Sequence, residues 1–399
     1  MSIAVAVVGT GQTSSRKNET RLNYVEQTQA AAVAALGDAQ MMPDDIEAIV
    51  FSLAPTCFMG VTDADRWAVD HIWGAGKPMF RVHTGGATGG SAVHAAHSLV
   101  SSGMFKRVLV VGAERMGETR DAQYFLNQIW DPFYERSLPL QTIAVGSLIG
   151  QRYMQHYGAT EQDFARIVVR QRRNALLNPN AHLKGSISIE DVMNSERVSY
   201  PLKLFDICPT SVASAAMILC DEDTVRQTNC KPAFINGIGG ISSTVWIGDR
   251  VVPSSDVLLE TSGEHKLAAQ QAYTHARITD PANEIDVAEI YDPFSTVQYS
   301  ILEALSLCDW GTAARLELDG AWEIGGRVSV NPSGGTLCSN PIAVTGLIRC
   351  IEAAKQVMHK SDLMQVPNVR NTIATAIGGS GQFVNATIFG DDIRSGFYD

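Results

Sequence analysis

The sequence has no cysteine pair at metal-ligand spacing. No two of its seven cysteines form a CxxC motif. They are Cys57, Cys208, Cys220, Cys230, Cys308, Cys338 and Cys350. An odd number without ligand spacing argues against a disulfide framework and against a zinc site in this chain. We therefore expect reduced thiols, no bound metal and a cytoplasmic location. Most of these cysteines should be small core residues.

Positive charge is also scarce. The chain has 31 Lys and Arg against 42 Asp and Glu, which gives a formal net charge of -11. Because nucleic acids bind to basic surfaces, this excludes them as the main partner. A small anionic ligand remains compatible, because N–H groups at a helix start attract anions locally. The apolar run within residues 1–12 lacks a basic segment and is too short for a signal peptide or a membrane span, so no membrane association is expected.

Apolar strand patterns alternate with helical patterns, and this order occurs twice. In the first half, a strand, a helix, a strand after an acidic turn, a glycine-opened helix and another strand are predicted at 3–8, 25–36, 44–50, 85–90 and 107–112. In the second half, the counterparts from the first helix onward lie at 267–274, 285–291, 334–335 and 371–379. Such alternation predicts parallel sheets covered by helices on both faces. Its repetition predicts a duplicated α/β architecture.

The repeat breaks in two places. Residues 249–256 carry a proline and a pair of serines, and we place the boundary there, between halves 1–250 and 251–399. The span at about 115–200 does not fit the repeat and is rich in long polar and aromatic side chains. Helices are predicted in it at 141–157 and 161–174. Long insertions in α/β enzymes commonly form a substrate cover or a subunit contact.

Six short motifs occur in order along nearly the whole chain. They lie at 85–96, 109–116, 201–206, 289–294, 330–335 and 376–381. Each motif alone is weak, but the ordered set resembles the thiolase superfamily, and within it the branch of sterol-carrier-protein-2 thiolases. This resemblance implies a duplicated five-layer αβαβα thiolase fold and a homodimer. It also implies action on acyl-CoA thioesters, with coenzyme A as a substrate and no bound cofactor.

The chain departs from the family at its catalytic positions. The nucleophilic cysteine of the family falls on Gly86, its His-Asp-Cys-Phe motif on 291–294 (Tyr-Asp-Pro-Phe), and its Gly-His-Pro motif on 339–341 (Ser-Asn-Pro). The pattern is closer to divergent members that work with a small zinc-finger/OB-fold subunit. Two activities belong to that group, steroid side-chain aldolases and a two-subunit benzoylsuccinyl-CoA thiolase. The resemblance therefore implies a small partner subunit, which would hold any zinc.

The glycine turn at 85–90 is the first candidate site segment. Backbone N–H groups of a helix start near Gly85 and Gly86, bordered by Gly379, are suited to hold an oxyanion. Alternatively, Gly86 serves only a tight strand-to-helix turn. His83 is a reserve candidate for a base, whereas His94 is expected to pack within the helix.

Three further residues are candidates for the chemistry. Cys338 lies two residues before Asn340 and is interpreted as a nucleophile, as an acid/base thiol or as a small buried residue. Asn340 either donates its amide N–H to a thioester oxygen or makes a loop contact. Tyr291 either supplies a hydrogen bond or proton, or is a core tyrosine. Asp292 is expected to cap or brace its turn.

The helix predicted at 161–174 carries several positive charges. Four arginines lie on it, Arg166, Arg170, Arg172 and Arg173. They form either a solvated helix face or, since guanidinium groups suit phosphate geometry, a clamp for the phosphates of CoA.

These features together favour carbon–carbon bond cleavage in an acyl-CoA. The first hypothesis is thiolysis of a branched or aromatic 3-oxoacyl-CoA, with Cys338 as acyl carrier and Tyr291 and Asn340 assisting. The alternative is retro-aldol cleavage of a 3-hydroxyacyl-CoA without a covalent intermediate. A third hypothesis, motivated by the missing catalytic residues, is a non-catalytic subunit that binds CoA or scaffolds a partner.

Overall fold

The computed structural model describes residues 3–54, 63–138, 140–250 and 259–394. In these ranges twelve β-strands form: β1 Val5–Gln12, β2 Ala48–Ser52, β3 Met79–Val82, β4 Arg107–Arg115, β5 Arg197–Ser199, β6 Leu202–Lys203, β7 Val212–Asp221, β8 Ala233–Ser242, β9 Val287–Glu289, β10 Ser329–Val330, β11 Asn371–Gly378 and β12 Phe383–Gly390. The same ranges contain fourteen α-helices: α1 Tyr24–Ala39, α2 Ala64–Ala68, α3 Thr88–Ser101, α4 Ala122–Leu126, α5 Thr142–Tyr157, α6 Glu161–Ala175, α7 Ile189–Asn194, α8 Glu222–Val225, α9 Gly263–Ala276, α10 Pro281–Glu284, α11 Ser295–Ala304, α12 Ala313–Leu318, α13 Gly335–Cys338 and α14 Ile342–Met358.

Ten strands form one sheet in the order β3-β2-β4-β7-β1-β8-β12-β11-β9-β10. From each edge toward the middle, three parallel strands are followed by two antiparallel ones. The halves join where β1 pairs with β8 through Ala6–Phe234 and Val7–Ala233. The strand order is therefore duplicated, with β8 in the place that β1 holds in the first half. The division of the chain at residue 250 stays a prediction.

Helices cover and separate the two half-sheets. A first apolar cluster joins α1 to the outer face of the first half. A second joins α3 and α14 to strands of both halves, and a third joins α9 to the outer face of the second half. The layers are thus α1, half-sheet, α3 with α14, half-sheet and α9, which confirms the predicted five-layer order. None of the helices in the described ranges has the length and apolar character of a membrane span.

Paired glycines let each outer helix approach its half-sheet. Two glycines, two residues apart, occur in β1 and again in β8, and each faces the backbone of an alanine on the covering helix. A side chain at any of them would overlap that backbone, so glycine is needed for this spacing. The contacting pairs are Gly9–Ala35 and Gly11–Ala31 in the first half, and Gly237–Ala272 and Gly239–Ala268 in the second.

The expectation of parallel sheets is confirmed for the three outer strands of each half and was wrong for the inner strands. β12 follows β11 after a short turn at 379–382, and strands joined so closely must run antiparallel. β7 also runs antiparallel to β4, after the long segment 116–211. Alternation of strands and helices predicted the crossover units but carried no signal for the returning strand of each half.

The helices predicted within 115–200 are present as α5 and α6. Both contribute to the core, since Tyr153, Phe164 and Ile167 are buried in the cluster that contains α9 and α11. Arg170 is buried as well: its Nε lies 2.7 Å from a Glu317 carboxylate oxygen, and its Nη1 donates to the Val330 carbonyl at 2.7 Å. Its expected place on a solvated face or in a phosphate clamp was wrong, because its guanidinium is engaged inside the protein.

Removing Arg170 should destabilise the fold strongly, because it would leave the Glu317 carboxylate buried without its partner. Arg170→Met is expected to lower the free energy of unfolding by about 3–5 kcal/mol. Arg173→Met on the same helix is the control, since Arg173 forms an exposed pair with Glu323 and should change stability by about 1 kcal/mol or less. Denaturant midpoints measure both variants, and similar midpoints would contradict the prediction.

Candidate functional site

The glycine turn before α3 packs against the end of β11. In the turn, Gly85 adopts a positive φ of 61°, which favours glycine. The position of a Cβ on Gly85 is 3.2 Å from the Gly379 amide nitrogen, and a Cβ on Gly378 would overlap the turn's backbone. The structure therefore brings Gly85 of the first half next to Gly379 of the second half, the two glycines that were predicted to border one site.

Gly86 has no room for a side chain. A Cβ there would lie 2.5 Å from the Ile377 carbonyl oxygen and 3.3 Å from the Tyr291 hydroxyl. α3 begins two residues later, at Thr88. The space beside position 86 is thus bordered by a tyrosine hydroxyl, at the point where the resemblance would place a thiol.

Tyr291, Asn340 and Thr345 form a buried hydrogen-bond network. The Tyr291 hydroxyl donates to Asn340 Oδ1 at 2.8 Å, and Thr345 Oγ1 donates to the same oxygen at 2.9 Å. All three side chains are buried. Burial, with a smaller contribution from Cys208, raises the pKa of the Tyr291 phenol well above its ordinary value. At neutral pH Tyr291 is therefore a neutral hydroxyl, able to donate a hydrogen bond but not to act as a resting base.

Cys208 extends this network and was missed by the sequence analysis. Asn340 Nδ2 donates to Cys208 Sγ at 3.2 Å, and the Cys208 amide donates to the Pro293 carbonyl at 3.0 Å. Burial raises the pKa of the Cys208 thiol to about 12, so the thiol is neutral at physiological pH. The available signal was its place two residues after the motif at 201–206.

His182 and Ser211 lie behind the backbone of Asn340. Ser211 Oγ accepts the Asn340 amide N–H at 3.1 Å and lies 2.9 Å from His182 Nδ1. The His182 amide donates to Ser339 Oγ at 2.9 Å. Partial burial, and then the charges of Lys17 and Arg172, lower the pKa of His182. No motif pointed to His182, because it lies in the segment that departs from the repeat.

Cys338 occupies a different environment from the Tyr291 network. It is fully buried and packs with Ala175 and Ala181. Burial raises the pKa of the Cys338 thiol to about 12, which keeps it protonated at neutral pH. Its use as a nucleophile stays a prediction, and it would require an opening of this cluster.

Asp292 braces the interior of the protein. Gln171 and Gln298 donate side-chain N–H groups to it, and Asn331 Nδ2 donates at 3.0 Å. Burial raises the pKa of Asp292 to about 6, although the hydrogen bonds from Gln298 and Gln171 oppose the shift. The carboxyl group is thereby committed to holding the segment that carries Tyr291.

The two histidines near the glycine turn differ in exposure. His83 is exposed just after β3. His94 is half-buried within α3, its Nε2 lies 2.9 Å from Thr387 Oγ1, and burial lowers its pKa to about 3. Its packing role in the helix agrees with the expectation. Across the part of the chain that the structure describes, no group of three or more His, Cys, Asp or Glu is placed to hold a metal ion.

Comparison with known families identifies both halves of the chain. Residues 5–187 match the family model described as thiolase, N-terminal domain. Residues 254–391 match the model described as thiolase C-terminal domain-like. The two matches have the same order as the duplicated strand pattern and include the glycine turn, Tyr291 and Asn340.

Three known proteins are similar over most of the chain. A steroid side-chain-cleaving aldolase of Thermomonospora curvata is 29% identical, with 98% of each chain covered. The benzoylsuccinyl-CoA thiolase subunit BbsB of Thauera aromatica is 28% identical over 76% of this chain and 77% of its own. A solved structure of the Ltp2-ChsH2(DUF35) aldolase superimposes with a TM-score of 0.81 at 27% identity, covering 97% of both chains.

Adding one methyl group at position 86 should disturb the site. Gly86→Ala is expected to cost about 1–3 kcal/mol of stability, because the new Cβ would press on the Ile377 carbonyl and the Tyr291 hydroxyl. Gly37→Ala is the matched control, since its Cβ would meet nothing within 4 Å in α1 and should add about 0.5–1 kcal/mol. Thermal unfolding compares them, and equal effects would show that position 86 is not closed.

Proposed function

This chain belongs to the thiolase superfamily, and we propose that it cleaves the carbon–carbon bond of a 3-hydroxyacyl-CoA by a retro-aldol reaction. The observation that carries the proposal is the closed position 86, where the Tyr291 hydroxyl stands 3.3 Å from the place of a Cβ. A thiolase nucleophile has no room there. A hydroxyl group that can donate a hydrogen bond stands in its place.

The ionisation of the site favours a reaction without an acyl-enzyme. Acyl transfer to cysteine requires a thiolate, whereas burial raises the pKa of both Cys208 and Cys338 to about 12. Retro-aldol cleavage requires no nucleophile. It requires a proton acceptor for the 3-hydroxyl group and hydrogen-bond donors for the enolate.

The proposed reaction uses the donors that converge at the glycine turn. The 3-hydroxyl proton moves to a base, the C2–C3 bond breaks, and its electron pair moves into the thioester as an enolate. C3 becomes a carbonyl carbon, and C2 then takes a proton. In this scheme the Tyr291 O–H, which donates to Asn340 Oδ1 in the resting site, turns to the enolate and gives it the proton. Thr345 then remains as a donor to Asn340 Oδ1. The N–H groups of Ala87 and Thr88 already donate to the carbonyls of Thr84 and Gly85, so the scheme assigns the Gly86 N–H to the thioester oxygen.

The relatives support both the reaction and a partner. The two similar aldolases align over nearly the whole chain. The solved aldolase is named for two components, Ltp2 and ChsH2(DUF35), and BbsB is named a subunit. We therefore propose that this chain binds acyl-CoA as a homodimer together with a small zinc-finger/OB-fold subunit.

Thiolysis of a branched or aromatic 3-oxoacyl-CoA is the second candidate. The similarity to the benzoylsuccinyl-CoA thiolase subunit favours it. In that reaction Cys338 would carry the acyl group, with Asn340 and the N–H groups near Gly86 holding the oxyanion, and free CoA would be consumed.

Product analysis separates the candidates. The purified protein, with any partner that copurifies, is incubated with a 3-hydroxyacyl-CoA and with a 3-oxoacyl-CoA, each with and without free CoA. We expect cleavage of the 3-hydroxyacyl-CoA without added CoA. Cleavage of only the 3-oxoacyl-CoA, dependent on CoA, with an acyl mass on the Cys338 peptide would overturn the proposal. Absence of any cleavage would favour a non-catalytic subunit.

Two substitutions should rank oppositely for the two reactions. Tyr291→Phe removes the hydroxyl but keeps the packed ring, and for retro-aldol cleavage it should lower kcat by about 10²–10³. Cys338→Ala should leave kcat nearly unchanged, because its thiol packs away from the network. Steady-state kinetics of both variants test this ranking. A severe loss in Cys338→Ala beside a mild one in Tyr291→Phe would support thiolysis instead.

A further inference from the structure

The proposed cleavage needs a proton acceptor that the thiolase motifs do not supply. The resemblance places the two family histidines on Tyr291 and Asn340, and neither residue is a base at neutral pH. We propose that His182, anchored by Ser211 behind the Asn340 loop, accepts the proton of the substrate hydroxyl. This inference rests on the proposed function and names the residue that would start it.

His182 is tied to the site by its backbone and by its ring. Its amide donates to Ser339 Oγ at 2.9 Å, and its Nδ1 lies 2.9 Å from Ser211 Oγ. Ser211 in turn accepts the Asn340 amide at 3.1 Å and donates its own amide to the Asn340 carbonyl at 3.3 Å. Ser211 therefore fixes the imidazole relative to Asn340, the residue that accepts the hydrogen bond of the Tyr291 hydroxyl.

The proposed role uses one of the two neutral tautomers of His182. Ser211 Oγ accepts the Asn340 N–H and lies 2.9 Å from His182 Nδ1, and either atom of that contact can be the donor. The proposed role assigns the hydrogen to Nδ1. In that tautomer Nε2 keeps its lone pair. Among the described residues Nε2 has no hydrogen-bond partner, and the side chain is only half-buried. In that tautomer a basic nitrogen lies on a half-buried ring that Ser211 holds next to the Asn340 backbone.

The other ionisable groups around the network are poorly suited to accept this proton. Tyr291 and Cys208 are neutral acids, since burial raises both pKa values. Burial also raises the pKa of Glu114 to about 8, and backbone N–H groups of Arg115 and Ala343 occupy its oxygens. Asp292 accepts three amide donors. Of the groups that the structure places around Asn340, His182 is the resting base.

The reaction is balanced in protons and electrons when Tyr291 acts as the acid. His182 Nε2 takes the hydroxyl proton and becomes an imidazolium, C3 becomes a carbonyl carbon, and the electron pair of the broken bond forms the enolate. Tyr291 then gives its proton to C2. Transfer of a proton from the imidazolium to the tyrosine oxygen, directly or through water, restores both groups.

Positive charges around His182 favour its neutral form. Lys17 follows β1 and Arg172 lies on α6, and both, after partial burial, lower the pKa of His182 below its ordinary value of 6.5. Protonation at lower pH would remove the acceptor. Activity is therefore expected to be full above this pKa and to fall as the pH drops through it.

The pH profile of matched variants tests the inference. His182→Gln should lower kcat by about 10²–10⁴, as loss of a general base does, with KM nearly unchanged, and should abolish the acidic limb of the profile. Ser211→Ala should lower kcat less and shift that limb, because the ring loses its anchor. His156→Gln is the control, since His156 is half exposed on α5 and lies beside Glu260. It should match the wild type.

Two further measurements separate loss of the proton acceptor from loss of folding in His182→Gln. NMR titration of the wild-type imidazole, assigned by the signal lost in His182→Gln, should give a pKa below 6.5 that matches the acidic limb. Melting curves establish that His182→Gln is folded. A folded His182→Gln with wild-type kcat and an unchanged acidic limb would overturn the inference.

The inference and the proposed function fail in different ways. If the wild type cleaves only a 3-oxoacyl-CoA with free CoA, the proposed function fails, and the same variants are then compared in that reaction. Loss of the acidic limb in His182→Gln would still establish His182 as the proton acceptor there. A wild type that turns over neither substrate would overturn both.

Discussion

The site depends on one packing constraint, the contact between the glycine turn before α3 and the end of β11. The turn belongs to the first half of the duplicated sheet and β11 to the second. Their backbones approach so closely that Gly86 and Gly378 admit no side chain. This contact sets the distance between the helix start, with its N–H groups, and Tyr291. The fold builds its site where the two halves meet, rather than within either one.

The close packing at this contact also affects which side chains are charged. Every ionisable side chain in the inner network is buried, so its neutral form is favoured, and tyrosine and cysteine remain protonated. Such a site presents hydrogen-bond donors without a resting nucleophile. That character separates it from a covalent thiolase site and accords with stabilisation of an enolate. A proton acceptor would then come from a less buried side chain, and we have proposed the half-buried His182 for this role.

A second buried network holds the segment that carries Tyr291. Arg349 of α14 is paired with Glu289 of β9, and Ser333 donates its hydroxyl to the same carboxylate at 2.8 Å. Asp292 collects amide donors from α6, α11 and the loop after β10. These bonds fix the chain on both sides of Tyr291, so its hydroxyl is positioned by the core rather than by a mobile loop. The segment at about 115–200 contributes to this through Gln171 of α6, whose side chain donates to Asp292.

The order of motifs and the doubled alternation of strands and helices were enough to predict the five-layer fold. They also predicted Gly85, Gly86, Gly379, Tyr291 and Asn340 as candidate site residues, and the structure places these close together, whereas the predicted Cys338 lies in a separate cluster. These features are local patterns, which can be read directly from the order of residues along the chain. The antiparallel return of β7 and β12, the burial of Arg170, and the places of Cys208 and His182 were decided only by the tertiary structure. Each of those depends on which distant segment packs against it: Ser211 and Asn340 are 129 positions apart, yet they share two hydrogen bonds. The charge state of a side chain depends on its burial and its hydrogen-bond partners. Both are set by tertiary contacts and cannot be read from the residues next to it in the sequence.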